Sequence, residues 1–75
     1  MHQIASQWPP GTVVIQVATY NEAASIGQLL QSIHRILPDA QIVIIDDNSP
    51  DGTAQIVTQQ AEKHSYIHLL LRIDR

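Results

Sequence analysis

Three short aliphatic runs do most to restrict what this chain can fold into: Val13–Val17 (V-V-I-Q-V), Ile42–Ile45 (I-V-I-I) and Ile67–Leu71 (I-H-L-L-L). Each is rich in Ile, Val or Leu and reads as a strand. Two segments of helical character separate them. In the first, residues 22–37, Ile26, Leu29, Leu30, Ile33 and Leu37 follow i, i+3, i+4, i+7, i+11 spacing, one face of a helix. Asn21 is placed to cap it, Glu22 suits its first turn and Pro38 stops it. In the second, residues 53–64, Ala54, Val57 and Ala61 form a thinner stripe beside Ile56. Asp51 or Thr53 is placed to cap this one, and Lys63 suits its last turn. Strand–helix–strand–helix–strand predicts an α/β domain, a βαβαβ parallel sheet with right-handed crossovers.

Such an alternation constrains packing. Strands that are almost continuously apolar are expected to be buried on both faces. If the strands are laid side by side in one direction, right-handed crossovers put both helices on the same face. The other face then carries apolar side chains with nothing over them, which is unusual for a soluble monomer. More chain, or another subunit, is expected to cover it. The sequence also stops soon after the third strand, so it reads as the N-terminal piece of a larger domain. Residues 1–11 read as a lead-in, broken by Pro9, Pro10 and Gly11, with Trp8 as a tail residue.

Composition narrows the functional classes. Of 75 residues, 44% are hydrophobic and only 15% charged, which argues against intrinsic disorder. A net charge of −3 with four Lys plus Arg leaves no basic footprint for nucleic acid. The absence of Cys removes disulfide scaffolds and Cys zinc sites. The four His show no metal-ligand spacing, and Gly27 is a lone helix glycine read as allowing close packing. No apolar run reaches 18 residues, and the N-terminus lacks the features of a signal peptide, so the expected location is cytoplasmic.

In open α/β sheets ligands bind beyond the carboxyl ends of the strands. Two polar clusters fall there and are expected side by side: Ala18-Thr19-Tyr20-Asn21-Glu22 after the first strand, and Asp46-Asp47-Asn48-Ser49-Pro50-Asp51-Gly52-Thr53 after the second. Alternation of side chains sends Asp46 and Asp47 in different directions, one toward a pocket. A carboxylate there can accept from a ribose hydroxyl or a base N–H, or hold a hard cation. Residues 48–53 also make a good turn and helix cap on their own. Tyr20 offers a flat face to a base or sugar, and Glu22 a carboxylate; equally, they read as a packed rim residue and a helix-start charge.

Together, V-V-I-Q-V-A-T-Y-N-E and I-V-I-I-D-D-N-S-P-D-G-T resemble the N-terminal half of a family 2 glycosyltransferase, over about residues 12–75. The D-D-N-S-P-D-G-T form is most like that of polyprenyl-phosphate (dolichyl-phosphate) mannose synthases. The resemblance implies a GT-A, Rossmann-like nucleotide-sugar domain and inverting transfer of a hexose from a nucleotide-diphosphate sugar. In that subgroup the donor is GDP-mannose and the acceptor a polyprenyl phosphate at the cytoplasmic face of a membrane. Mg²⁺ or Mn²⁺ would neutralise the leaving diphosphate. By position, Ala18, Tyr20 and Glu22 would line the nucleotide pocket from the first loop, and Ile45, Asp46 and Asp47 from the second strand. The family usually has Pro where this chain has Ala18. Its metal-binding D-x-D motif belongs to a later strand and has no counterpart here, so the chain alone is expected to be inactive. Two other readings stand beside this one: a receiver-like module holding Mg²⁺ on the Asp pair, and a truncated product without function of its own. A dinucleotide-binding domain is disfavoured by the missing G-x-G-x-x-G.

Overall fold

The computed structural model describes residues 8–72. Its elements run β1 (Val14–Thr19), α1 (Ile26–Ile36), β2 (Gln41–Asp46), α2 (Thr53–Lys63) and β3 (Ile67–Leu71). The strands form one parallel sheet in the order β1-β2-β3. A receiver places its first strand between the second and third; here β2 is central, which removes that alternative.

Strand register sets which side chains share a face. Val17 pairs with Ile44 and Thr19 with Asp46, while Ile44 pairs with Leu69 and Asp46 with Leu71. Side chains two apart lie on the same side of the sheet. One face joins Ile42, Ile44 and Ile67 to Ile26 and Leu30 of α1 and Val57 of α2, with Val17 and Leu69 packed alongside. Both helices therefore cover the same face, as the crossovers require. Ile26, Ile42, Ile44 and Val57 are fully buried, each worth roughly 1.5–3 kcal/mol of removal from water.

The opposite face is not bare. Trp8, Val14 and Leu70 pack against the buried pair Val43 and Ile45, and the indole of Trp8 tilts against His68 at 5.1 Å between ring centres. The expected tail residue is thus part of the cover, because an indole supplies more apolar area than any other side chain in this segment. Of the three strands, β2 is the one buried along both faces; β1 and β3 are edge strands, and Gln16 sits exposed on β1. Pro9 to Thr12 form a turn in which the amide and hydroxyl of Thr12 both donate to the Pro9 carbonyl. Residues 1–7 of the expected lead-in lie outside the described residues.

The first helix departs most from expectation. It begins at Ile26 rather than at residue 22, and Ser25, not Asn21, stands at its N-cap. Asn21 is left-handed, with φ 58°. Its carboxyl-terminal leucine contributes little: Leu37 is the C-cap, and Leu29 is also exposed. Nor does Gly27 mark a close approach, since an added Cβ would meet nothing within 4 Å. The second helix starts where expected, at Thr53, after Gly52 at φ 90°, a conformation that glycine adopts without steric penalty.

Candidate functional site: the carboxyl rim of the sheet

Beyond Thr19 and Asp46 the two chains leave the sheet in step. Asn21 and Asn48, each two residues past that paired position, share the same left-handed φ of 58°. Asn tolerates this conformation better than most residues. The two loops then lock together through side chains. Asp46 is fully buried on the helix side. Its Oδ1 accepts from Thr19 Oγ1 (2.9 Å) and Ser49 Oγ (2.7 Å), and its Oδ2 from the Ser49 amide (2.9 Å).

Three consecutive amides of the first loop are taken up by the second. Asn21 N donates to Ser49 Oγ (2.8 Å), Glu22 N to Thr53 Oγ1 (3.0 Å) and Ala23 N to Asp51 Oδ2 (3.0 Å). Asp51 Oδ1 in turn accepts from the amide and hydroxyl of Thr53. Hydrogen bonding, first from the Thr53 hydroxyl and then from the Ala23 amide, holds the Asp51 carboxyl below its ordinary pKa of 3.8. This capture explains the late start of α1. Residues 21–23 spend their amides on the neighbouring loop, and the turn closes instead through Glu22 O, which accepts from Ser25 N and Ile26 N. Neither expected residue caps α2: Gly52 stands at its N-cap without a side-chain cap bond, Thr53 is its first residue, and the Thr53 hydroxyl bridges Glu22 N to Asp51.

The remaining predicted residues sort by face. Ala18 pairs with Ile45 and Ile45 with Leu70, a row on the face away from the helices. One step further out comes Tyr20, then Asp47, then Arg72. The ladder extends to this step, since Asp47 N donates to Thr19 O (3.2 Å) and Arg72 N to Asp46 O (2.8 Å). Ala18 and Tyr20 are exposed; Ile45 is buried against Val43. Asp47 takes a two-pronged ion pair from Arg72, Nε to Oδ1 and Nη2 to Oδ2. The structure therefore brings Ala18, Tyr20, Ile45 and Asp47 onto one surface and turns Asp46 away from it. Glu22 follows the kink, exposed, and accepts from Ser25 Oγ (3.0 Å).

Two members of this surface, Leu70 and Arg72, carry no signal in the sequence. Strand register alone reveals them, as the third-strand partners of Ile45 and Asp47. Elsewhere, a depression of about 500 Å³ opens at the opposite, amino end of the strands, between Pro10–Val13 and Ile36–Ala40. Apart from Asp39 its lining has no charge, and it lies away from every polar group of the loops. No group of three or more His, Cys, Asp or Glu among the described residues is arranged to hold a metal. The acid pair does not fit one either, because Asp46 and Asp47 face opposite sides of the sheet and each carboxylate is engaged by protein donors.

An acidic strand terminus, an aromatic neighbour and two interlocked loops meet at the carboxyl rim, where open α/β sheets bind their ligands. The pattern of "Glycosyl transferase family 2" matches residues 14–73, and the chain belongs to that family. It is 32% identical over 60 residues to the undecaprenyl-phosphate mannosyltransferase of Micrococcus luteus, covering 80% of this chain and 25% of that protein. It is 30% identical over 53 residues to the polyprenol monophosphomannose synthase of Mycolicibacterium smegmatis, covering 71% and 20%. A poly-beta-1,6-N-acetyl-D-glucosamine synthase of Staphylococcus epidermidis is 32% identical over 60 residues, covering 79% and 15%. The chain thus spans a quarter or less of these relatives. No solved structure matches it.

Proposed function

We propose that this chain is the nucleotide-binding part of an inverting hexosyltransferase that uses a nucleotide-diphosphate sugar. The observation that carries the reading is the shared surface of Ala18, Tyr20, Ile45 and Asp47 at the carboxyl rim, in a chain of this family. Tyr20, half-exposed, is available to stack on a base, an interaction worth about 1–3 kcal/mol. Asp47 accepts from a base N–H or ribose hydroxyl. Ala18 and Ile45 form the apolar floor between them. Asp46, Ser49, Asp51 and Thr53 make no ligand contact in this scheme; they hold the loop that carries Tyr20 and Glu22 in one geometry.

For the full-length protein we propose GDP-mannose as donor and a polyprenyl phosphate as acceptor, at the cytoplasmic face of a membrane. Two mannose-transferring relatives support this choice, as does the resemblance of the D-D-N-S-P-D-G-T form to polyprenyl-phosphate mannose synthases. Among the described residues no helix is long and apolar enough to cross a membrane. The family generally uses a divalent cation, and its ligands are proposed to lie outside residues 8–72. Calorimetric titration of the chain with GDP-mannose and with UDP-N-acetylglucosamine tests the reading. Saturable binding of the first, weakened about 10–100-fold by Tyr20→Ala, is expected. Preference for the uridine donor would overturn the mannose assignment, and no binding of either would overturn the nucleotide site.

A further inference from the structure

The row across the rim has three members, one from each strand, and nucleotide contact by Tyr20 and Asp47 leaves the third without a role. Arg72 is the register partner of Asp47, one step past the Asp46–Leu71 pair. Its backbone is fixed there by the bond from Arg72 N to Asp46 O. Its side chain meets the carboxylate with two donors, Nε and Nη2, one for each oxygen. A two-pronged guanidinium–carboxylate pair sets the plane of the carboxylate as well as its position. The pair is partly open to solvent, with 52% of the Arg72 side chain and 27% of the Asp47 side chain accessible. An ion pair this exposed does little for stability, so its effect falls on geometry.

We infer that Arg72 is a positioning residue for the nucleotide site: it orients the Asp47 carboxylate so that the remaining lone pairs face a ligand lying over Tyr20. The inference rests on the reading of the rim as a nucleotide site. Each carboxylate oxygen can accept more than one hydrogen bond, so engagement by Arg72 leaves acceptor capacity for a base N–H or ribose hydroxyl. Pairing also offsets the carboxylate's charge, which lowers its repulsion of a diphosphate. Without Arg72, Asp47 must give up rotamer freedom each time a nucleotide binds.

The test is a double-mutant cycle read by calorimetric titration of the full chain with GDP. Arg72→Ala is expected to weaken binding about fivefold to tenfold, the loss of one pre-ordered side chain, with the thermal midpoint unchanged. Asp47→Asn weakens it at least as much, and the double variant binds no more weakly than Asp47→Asn alone. Arg72→Lys, which keeps the charge but loses the fork, falls between wild type and Arg72→Ala. Losses that add in the double variant, or an Arg72→Ala chain that binds like wild type while Asp47→Asn does not, overturn the positioning role and leave the nucleotide site intact. A wild-type chain that binds no GDP overturns the underlying reading instead.

Discussion

Asp46 and Asp47 are identical, adjacent side chains, and they sit in different chemistries. Asp46 points to the helix side, buried, and accepts three protein hydrogen bonds that tie Thr19 and Ser49 to the end of β2. Asp47 points to the other face, partly exposed, in a row with Tyr20 and Arg72. The same division runs through the whole motif. Ser49, Asp51 and Thr53 join Asp46 in an internal staple, while Tyr20 and Asp47 are presented outward. A strand terminus lets one short motif do both jobs, because successive residues face opposite sides of the sheet. Cross-loop bonding is built on one face, and the other carries the surface proposed to receive the nucleotide.

The sharpest way to break this comparison is to remove one acid at a time. Asp46→Ala orphans the Thr19 hydroxyl and two Ser49 donors, so a loss of about 3 kcal/mol or more is expected by urea denaturation, enough to unfold a chain of this size. Asp47→Ala should change stability by about 0.5 kcal/mol or less, since the Arg72 pair it removes is partly open to solvent. Equal losses from the two would dissolve the distinction. Next comes Thr53→Val, which keeps the shape but removes the hydroxyl that bridges Glu22 N and Asp51. It is expected to lose about 1–3 kcal/mol and to speed hydrogen exchange at the Glu22 amide. Exchange at that amide left as slow as in wild type would show that the bridge does not hold the loop.

Acid provides a graded version of the same test. The Asp51 carboxyl is held below its ordinary value, so it binds fewer protons folded than unfolded. Its stabilising contribution is complete above about pH 4, the unfolded value, and is lost as the pH falls through the lower folded value. Denaturation midpoints of wild type should fall across this acid window more steeply than those of Asp51→Asn. His68 works in the same direction at higher pH. Burial lowers its pKa from 6.5, so its contribution is complete above that value and declines as the pH falls toward the folded one. The smallest effect expected is a gain. Gly27→Ala fills open space in α1 and should add about 0.4–1 kcal/mol without altering nucleotide affinity. A change in affinity would mean that α1 is coupled to the rim.

Element order, parallel pairing and the side-by-side placement of the two loops are legible in the sequence because they arise from apolar runs and crossover handedness. The start of α1 is not. Glu22-Ala23-Ala24-Ser25 has good helix formers, and what withholds it from the helix is capture of amides by side chains about 28–31 positions away, which no local pattern encodes. The six candidate site residues all lie at the rim, yet sequence does not say that Asp46 belongs to the staple. Alternation separates Asp46 from Asp47 but does not tell which faces the helices until the crossovers are set. Trp8 reads as a tail residue because two prolines come after it. Arg72 draws no notice because its place depends on a register of 25 residues from Asp47.

Amide chemical-shift mapping of the labelled chain during titration with GDP-mannose tests the central division most directly. The account predicts saturable shifts at Tyr20, Glu22, Asp47 and Arg72, with the Ser49 and Thr53 amides shifting little because their partners do not change. Shifts concentrated at the amino-end depression, around Val13 and Ile36 to Ala40, with the rim silent, would contradict it.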